Sequence, residues 1–340
     1  MSVRVAINGL GRIGRCFVRA AWDDPGIEII AINDVGNIDN VAYLLAHDSV
    51  YRSAPFAVAV SGGKLALNGK EITCVSEREP AKLPWKDLNI DVVVESTGIF
   101  DSYEKASAHV SAGAKRVVIT ALVKDEMEGG ATVLVGVNEE KLKNVTVSSN
   151  ASCTTNSASP VIAILDEKLG IEKALLNTTH SYTATQSIVD SPVRGEDFRR
   201  GRAAAQNMSP SSTGAAIAVT KAYEQLAGKF DGIAVRVPTV AGSIADITFI
   251  SKRETSRDEV NQILKAAAAE ARWQGIFAVT EEPLVSSDII GRREGSIADL
   301  GLTRVVGGNL VKVMAWYDNE MGYAHTLLRH VKETGKFAAK

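Results

Sequence analysis

The chain has 340 residues, 45% of them hydrophobic and 23% charged, which is the composition of a folded protein and excludes the disordered, fibrous and collagen-like classes. It is too long for one comfortable core, so two domains are expected. Lys and Arg number 38 against 40 Asp and Glu, a formal charge of -2, and no global basic field would recruit nucleic acid or an anionic membrane.

The first strand is expected at Val3, Val5 and Ile7, which alternate with more polar positions and run into Gly9-Leu10-Gly11-Arg12-Ile13-Gly14. Helical spacing from Arg15 to Trp22 completes a strand, glycine turn and helix. In such a unit Gly9 allows the tight turn, Gly11 lets backbone approach a pyrophosphate, and Gly14 lets helix pack on strand, with the helix N-terminus facing the phosphates. A second strand, Ile27 to Ile32, ends at Asn33-Asp34, and Asp34 stands 20 residues after Gly14. A carboxylate there accepts hydrogen bonds from an adenosine ribose and repels a 2'-phosphate, favouring NAD over NADP. Further strands are expected at Asp91 to Glu95, Lys115 to Thr120 and Thr132 to Val137, in an open, mostly parallel α/β sheet. Ser96-Thr97-Gly98 then falls at the carboxyl edge where ligands collect, although a plain turn explains it equally well.

Cys153 lies in Ser-Ser-Asn-Ala-Ser-Cys-Thr-Thr-Asn, residues 148 to 156, after strand-like Val145 to Ser149 and before a helix from Thr154 to Gly170. A helix N-terminus favours thiolate and lowers a thiol pKa from about 8.5, and its N–H groups can hold a developing oxyanion. Small polar flanks leave room for a substrate and argue against a packing role. Cys16 and Cys74 sit among apolar neighbours and read as core. Three cysteines without close spacing point to a reducing compartment, with neither a disulfide framework nor a metal site. The N-terminus has no apolar run suited to a signal peptide or membrane span, and a cytoplasmic location is expected. Of five histidines, His180 precedes the hydroxyl-rich Ser181 to Gln186 and is the best partner for the thiol. His47, His109, His325 and His330 read as surface or packing residues. Strands at Gly232 to Val237, Ser243 to Lys252 and Leu310 to Trp316, with a helix at Arg257 to Arg272, suggest a second, α+β domain with a largely antiparallel sheet.

Together, NGLGRIGR at 8 to 15, SNASCTTN at 149 to 156, HSYTATQ at 180 to 186, RRGRAAAQNMSPSSTGAA at 199 to 216, RVPT at 236 to 239 and WYDNEMGY at 316 to 323 closely resemble the phosphorylating glyceraldehyde-3-phosphate dehydrogenase family. The resemblance implies a Rossmann-type NAD domain over 1–152, completed by a C-terminal helix 320–340 that folds back so that the two domains enclose the cofactor, and a catalytic domain over 153–319. It implies Cys153 as the nucleophile toward the aldehyde and His180 as its base, with a thioester cleaved by inorganic phosphate. Thr183 and Arg236 would hold the substrate phosphate; Ser152, Thr154, Thr213 and Gly214 would receive the attacking phosphate, with Arg200 between the two. For the cofactor it implies Arg12 and Ile13 at the pyrophosphate, Asp34 at the ribose, Thr120 and Tyr323 near the nicotinamide and Asn319 at its carboxamide. Thr97 belongs with the cofactor-binding residues. A homotetramer follows, with residues 181–204 at a subunit interface.

Two departures stand out. Ser157 replaces a second cysteine common in the family, and the His-Gly-Arg expected around residues 48–53 is missing. Ser191, beside Pro192, replaces a commoner leucine, which implies looser discrimination and some NADP use alongside NAD. The alternatives are an erythrose-4-phosphate dehydrogenase, whose thioester is ended by water, and a non-catalytic NAD- and RNA-binding protein. The intact YTAT and SSTG segments favour the triose enzyme, and the near-neutral charge gives RNA little affinity.

Overall fold

Alternation at Val3, Val5 and Ile7 forms β1 (Val3–Asn8), the glycine turn follows, and α1 (Arg12–Ala21) buries Cys16, Phe17 and Val18. The structure is a computed structural model describing residues 2–193 and 195–338. It divides into two compact units, Met1–Ala151 with Leu327–Lys340, and Ser152–Thr326.

In the first unit β2 (Ile27–Asn33) and α2 (Ile38–Ala46) precede β3 (Val58–Ser61), β4 (Lys64–Leu67) and β5 (Lys70–Val75). Then come β6 (Val92–Glu95), the one-turn helices α3 (Tyr103–Ala106) and α4 (Ala108–Ser111), β7 (Arg116–Ile119), β8 (Gly130–Thr132) and β9 (Val147–Ser149). One sheet holds them in the order β3-β4-β5-β2-β1-β6-β7-β9-β8. Its pairings are parallel from β5 to β8, and β4 is antiparallel to both its neighbours. Val92, Val93, Val94, Val117 and Val118 are fully buried, as strands covered on both faces require.

The run from Thr132 to Val137 departs from the strand expected there. The strand ends at Thr132; the Asn138 side chain accepts from Leu134 N–H, and Leu134 C=O accepts from Val137 N–H, so the chain turns with Gly136 at φ 87. Val133 and Leu134 are buried all the same. An apolar run reports burial, and the side-chain bond of Asn138 decides the backbone.

The second unit opens with α5 (Cys153–Leu169) and β10 (Ile171–Ser181), followed by β11 (Ser209–Ser212), α6 (Ala215–Ala222), β12 (Phe230–Val237) and β13 (Ser243–Ser251). After these come α7 (Arg257–Ala268), β14 (Phe277–Thr280), β15 (Ser296–Val306) and β16 (Leu310–Tyr317). Its sheet runs β11-β12-β10-β13-β16-β15-β14, antiparallel except at β10-β12 and β14-β15. The final helix, α8 (Met321–Gly335), begins in this unit, where Asp318 caps it by accepting from Glu320 and Met321 N–H, and its residues from Leu327 onward belong to the first. The last two residues of the expected 320–340 segment lie outside the described residues. No helix among the described residues is long and apolar enough to cross a membrane.

Within the first unit α8 is held by Lys332 on Asp24 and by His330, whose ring nitrogens meet Ser148 Oγ at 2.8 Å and Asn150 Oδ1 at 3.0 Å. Full burial pushes His330 down to about 3. The folded state therefore rejects a proton that the unfolded chain binds near 6.5, and stability present above that pH is lost as the pH falls through it. Between about pH 7 and pH 5 the loss from His330 amounts to about 2 kcal/mol. Urea titrations at the two pH values should show His330→Gln losing that much less stability than the parent chain; equal losses would mean that His330 is not the group responsible.

Candidate active site

The carboxyl ends of β1, β2 and β6 surround a cleft of about 480 Å³ lined by Gly9, Gly11, Asp34, Arg78, Thr97 and Phe100, among others. The glycines divide the work as their chemistry demands. Gly9 turns at φ 93, and a Cβ on Gly14 would stand 2.2 Å from Gly9 O, whereas one on Gly11 would point into open space. That open backbone at the start of the ten-residue α1 has the space and the helix-start N–H groups that a phosphate group would need. Asp34 accepts from Leu10 N–H at 2.7 Å and Gly36 N–H at 2.8 Å, so its carboxylate is fixed at the cleft with lone pairs left for ribose hydroxyls. Ile13 is half-buried in the first turn of α1, and Thr120 follows β7 with its N–H on Glu95 O.

Arg12 departs from a simple phosphate ligand. Its guanidinium binds Asp48 and lies 5.2 Å over the Tyr51 ring. Burial works to raise the Asp48 carboxyl, but Arg12 and the N–H groups of Tyr51 and Val50 outweigh it and hold it below its ordinary range. Arg19 donates to the carbonyls of Leu45 and Arg52, so the unusual 48–53 loop is tied to α1 at two points.

In the second unit Ser152 caps α5 by accepting from Thr155 N–H, which sets Cys153 at the first position of a 17-residue helix. Cys153 Sγ lies 3.3 Å from His180 Nε2. His180 Nδ1 lies 2.6 Å from Ser181 O, and a proton placed on Nδ1 leaves the Nε2 lone pair facing the thiol. Strands β10 and β12 pair His180 with Arg236 in register, and Arg236 Nη1 comes within 2.7 Å of the same Nδ1, a contact that favours the other tautomer, and donates to Ser181 O at 3.2 Å. Burial, and then the Arg236 charge, push His180 down to about 3. Burial pushes the Cys153 thiol up, and the attraction of Arg236 opposes without cancelling it. The expected lowering of the thiol pKa is therefore reversed, because desolvation outweighs the helix terminus, and the resting pair is a neutral thiol beside a neutral imidazole.

The remaining expected residues fall into three groups. Arg200 donates to Asp197, Ser211 Oγ and Thr185 Oγ1, and Thr185 Oγ1 lies 2.9 Å from Thr183 Oγ1. Thr213 accepts from Ala215 N–H, and Gly214 caps α6. Thr154 is buried with its hydroxyl 2.9 Å from Tyr317 Oη, and its hydroxyl and backbone N–H both lower the pKa of the Cys153 thiol by hydrogen bonding. Asn319 Oδ1 accepts from Gly242 N–H and Ser243 Oγ, fixing its amide, and Tyr323 is buried in α8. No hydrogen bond among these described groups joins Thr213 or Gly214 to Cys153.

Residues 3–103 match the glyceraldehyde 3-phosphate dehydrogenase NAD binding domain, and residues 152–319 match the C-terminal domain of the same enzyme. The glyceraldehyde-3-phosphate dehydrogenase of Thermotoga maritima is 48% identical over 328 residues, covering 96% of this chain and 97% of that one. That of Zymomonas mobilis is 44% identical over 339 residues, 99% of each. The chain belongs to the glyceraldehyde-3-phosphate dehydrogenase family. As a member of it the protein is an NAD-dependent oxidoreductase, and the glycine-lined cleft falls inside the NAD-binding match.

Some residues of this family member escaped the sequence. Tyr317 Oη bridges Thr154 and Thr178, with its ring 5.9 Å from that of His180. Ser243 accepts from Ser181 N–H and donates to Asn319, which links the histidine strand to the carboxamide residue. The period-2 spacing of Thr178 and His180 on β10 was an available signal; the pairing partners, tens of residues away, were not. Because Arg236 pulls the thiol pKa down, Arg236→Leu should move the pH midpoint of Cys153 alkylation by iodoacetamide upward. An unchanged or lower midpoint would show that the guanidinium does not act on the sulfur.

Proposed function

We propose that this chain oxidises D-glyceraldehyde 3-phosphate to 1,3-bisphosphoglycerate with NAD and inorganic phosphate. The observation that carries the reading is the Cys153–His180 contact at a helix start, and the reading takes the tautomer with the proton on Nδ1, which leaves Nε2 able to accept from sulfur. Cys153 gives its proton to His180 as sulfur adds to the aldehyde carbon, and the imidazolium returns it to the new oxyanion, leaving a thiohemiacetal. His180 then takes the hydroxyl proton while the carbon loses hydride. NAD, when bound, is the hydride acceptor. The result is a thioester on Cys153. A phosphate oxygen attacks its carbon, the C–S bond breaks, sulfur takes the proton held on His180, and the acyl phosphate leaves as the proton of the attacking phosphate passes to solvent.

In this reading Arg236 and Thr183 bind the substrate phosphate, and Ser152, Thr154, Thr213 and Gly214 receive the attacking phosphate. Arg200 serves between them, and Asn319 and Tyr323 serve the nicotinamide. Guanidinium forks, hydroxyls and helix-start N–H groups are what phosphate recognition needs. The reading also takes 1–152 with 320–340 as the cofactor domain and 153–319 as the catalytic one.

NADH absorbance with glyceraldehyde 3-phosphate and NAD should rise continuously only when inorganic phosphate is present. Cys153→Ser should lose at least about 10³-fold in rate and His180→Asn about 10²- to 10⁴-fold. Turnover without phosphate would indicate a hydrolytic aldehyde dehydrogenase, and preference for erythrose 4-phosphate would overturn the substrate assignment.

The same reading includes a homotetramer. Ile188, Val189 and Phe198 are exposed on the 181–204 segment, as are Leu175 and Ile233 on the second sheet, and such surfaces are usually covered. Analytical ultracentrifugation should give four times the 36.2 kDa chain mass; a monomer at micromolar concentration would refute it.

A further inference from the structure

The strands that end at the nucleotide cleft carry unusual polar residues at their last positions. Asn8 ends β1, Asn33 ends β2 and Glu95 ends β6, and they are 1%, 4% and 2% exposed. Asn8 and Asn33 line the cleft themselves, together with Gly9 and Asp34 after them, whereas Glu95 stands behind it and directly precedes the lining residue Ser96. Glu95 is the centre of a buried network. Its Oε2 accepts from Asn8 Nδ2 at 2.5 Å and from His109 Nε2 at 2.9 Å, while its Oε1 accepts from Thr97 N–H at 2.8 Å and Thr97 Oγ1 at 2.5 Å. Trp85 Nε1 donates to His109 Nδ1 at 3.0 Å, which fixes the tautomer with the proton on Nε2. Asn33 Nδ2 donates to Asn8 Oδ1 and to Glu77 O.

From this arrangement we infer that Glu95 is a positioning residue for the cofactor, holding Thr97 and the glycine turn in the shape that binds the nucleotide. The inference rests on the NAD reading of this cleft. Thr97 backbone is the surface against which Gly9 packs: a Cβ on Gly9 would lie 2.8 Å from Thr97 N. Ser96 also donates from Oγ to Gly9 O at 2.7 Å, so the 95–97 segment braces the turn directly. With four donors on one buried carboxylate, both Glu95 oxygens are committed, and Glu95 is not among the residues that line the cleft although its partners Asn8 and Thr97 are. The role is therefore support of the groups that touch cofactor, distinct from contact with it.

Glu95→Gln separates the two ends of the network. A glutamine must turn its oxygen toward Asn8 and His109, because both are donors whose other bonds fix them. Its NH₂ then faces Thr97. The Thr97 hydroxyl can accept, but the Thr97 N–H loses its acceptor and meets another donor, so the damage falls on the cleft wall while the buried half stays paired.

The experiment measures NAD affinity by quenching of intrinsic fluorescence, thermal midpoint without cofactor, and steady-state kinetics. The parent chain must bind NAD; failure there refutes the cofactor reading of the cleft and the inference with it. Glu95→Gln should weaken NAD binding by about tenfold or more, raise KM for NAD by a similar factor, and lower kcat at saturating NAD far less. Trp85→Phe removes a donor on the far side of His109 and should lower the thermal midpoint with NAD affinity within about twofold. NAD affinity unchanged in Glu95→Gln, or reduced equally in Trp85→Phe, would overturn the inference. Amide exchange of the parent chain gives a second reading that needs no variant. Thr97 N–H should be protected without NAD as well as the β6 amides are, and exchange at the rate of an open loop would also overturn it.

Discussion

The chemistry of the second unit depends on one contact, the 3.3 Å approach of a thiol to an imidazole whose other nitrogen is held between Ser181 O and Arg236. Nothing local to Cys153 or His180 creates it. Ser152 must cap α5 so that the helix begins at the cysteine, and β10 must run for 11 residues under that helix so that His180 emerges at its far end. Ala151 enters the turn before the helix at φ 53, a left-handed conformation that costs an alanine about 1 kcal/mol. Fully buried Val161, Ala163 and Leu165 on α5 bury enough apolar surface to offset that strain.

The two units solve different problems with the edges of their sheets. The first is a mostly parallel sheet whose strands β1, β2 and β6 end in the buried polar residues Asn8, Asn33 and Glu95. Buried amides and a carboxylate there have no solvent to satisfy them, so they satisfy one another, and the order this imposes is passed to the residues that face the cleft. The second sheet is mostly antiparallel, and its central strand β10 alternates buried Leu176, Thr178 and His180 with more exposed Leu175, Asn177 and Thr179. Alternation puts Thr178 and His180 on one face, where Tyr317 meets both the threonine hydroxyl and the edge of the imidazole ring.

Much of this was legible in the sequence because the determining constraint was local. Each glycine of Gly9-Leu10-Gly11-Arg12-Ile13-Gly14 has the space its position implies, and the small flanks of Cys153 marked a helix start. Legibility failed where a distant side chain decided the backbone. Asn138 turns residues 133–137, which look like strand. The β3-β4 hairpin and β15 carry no pattern strong enough to stand alone, and they exist because β5 and β16 offer edges to pair with. The sign of the thiol shift was also hidden. A helix terminus can be read from the order of residues, but the desolvation that outweighs it is a property of the folded packing.

That packing gives Arg236 two opposed effects. Its charge stabilises a thiolate at Cys153 and destabilises an imidazolium at His180, and the protein rests with both groups neutral. In the proposed reaction an anionic substrate phosphate on Arg236 offsets the same charge. His180 then becomes a stronger base while the thiol becomes a weaker acid, so the sulfur stays protonated, and less open to oxidation, until it meets the aldehyde carbon. Arg200, which also weighs against protonation of His180, is held by Asp197, so one carboxylate already shields it. Asp197 acts on Arg236 only through space, and Arg236 lies against the imidazole itself, so it is the position from which substrate charge most strongly changes the proton affinity of the pair.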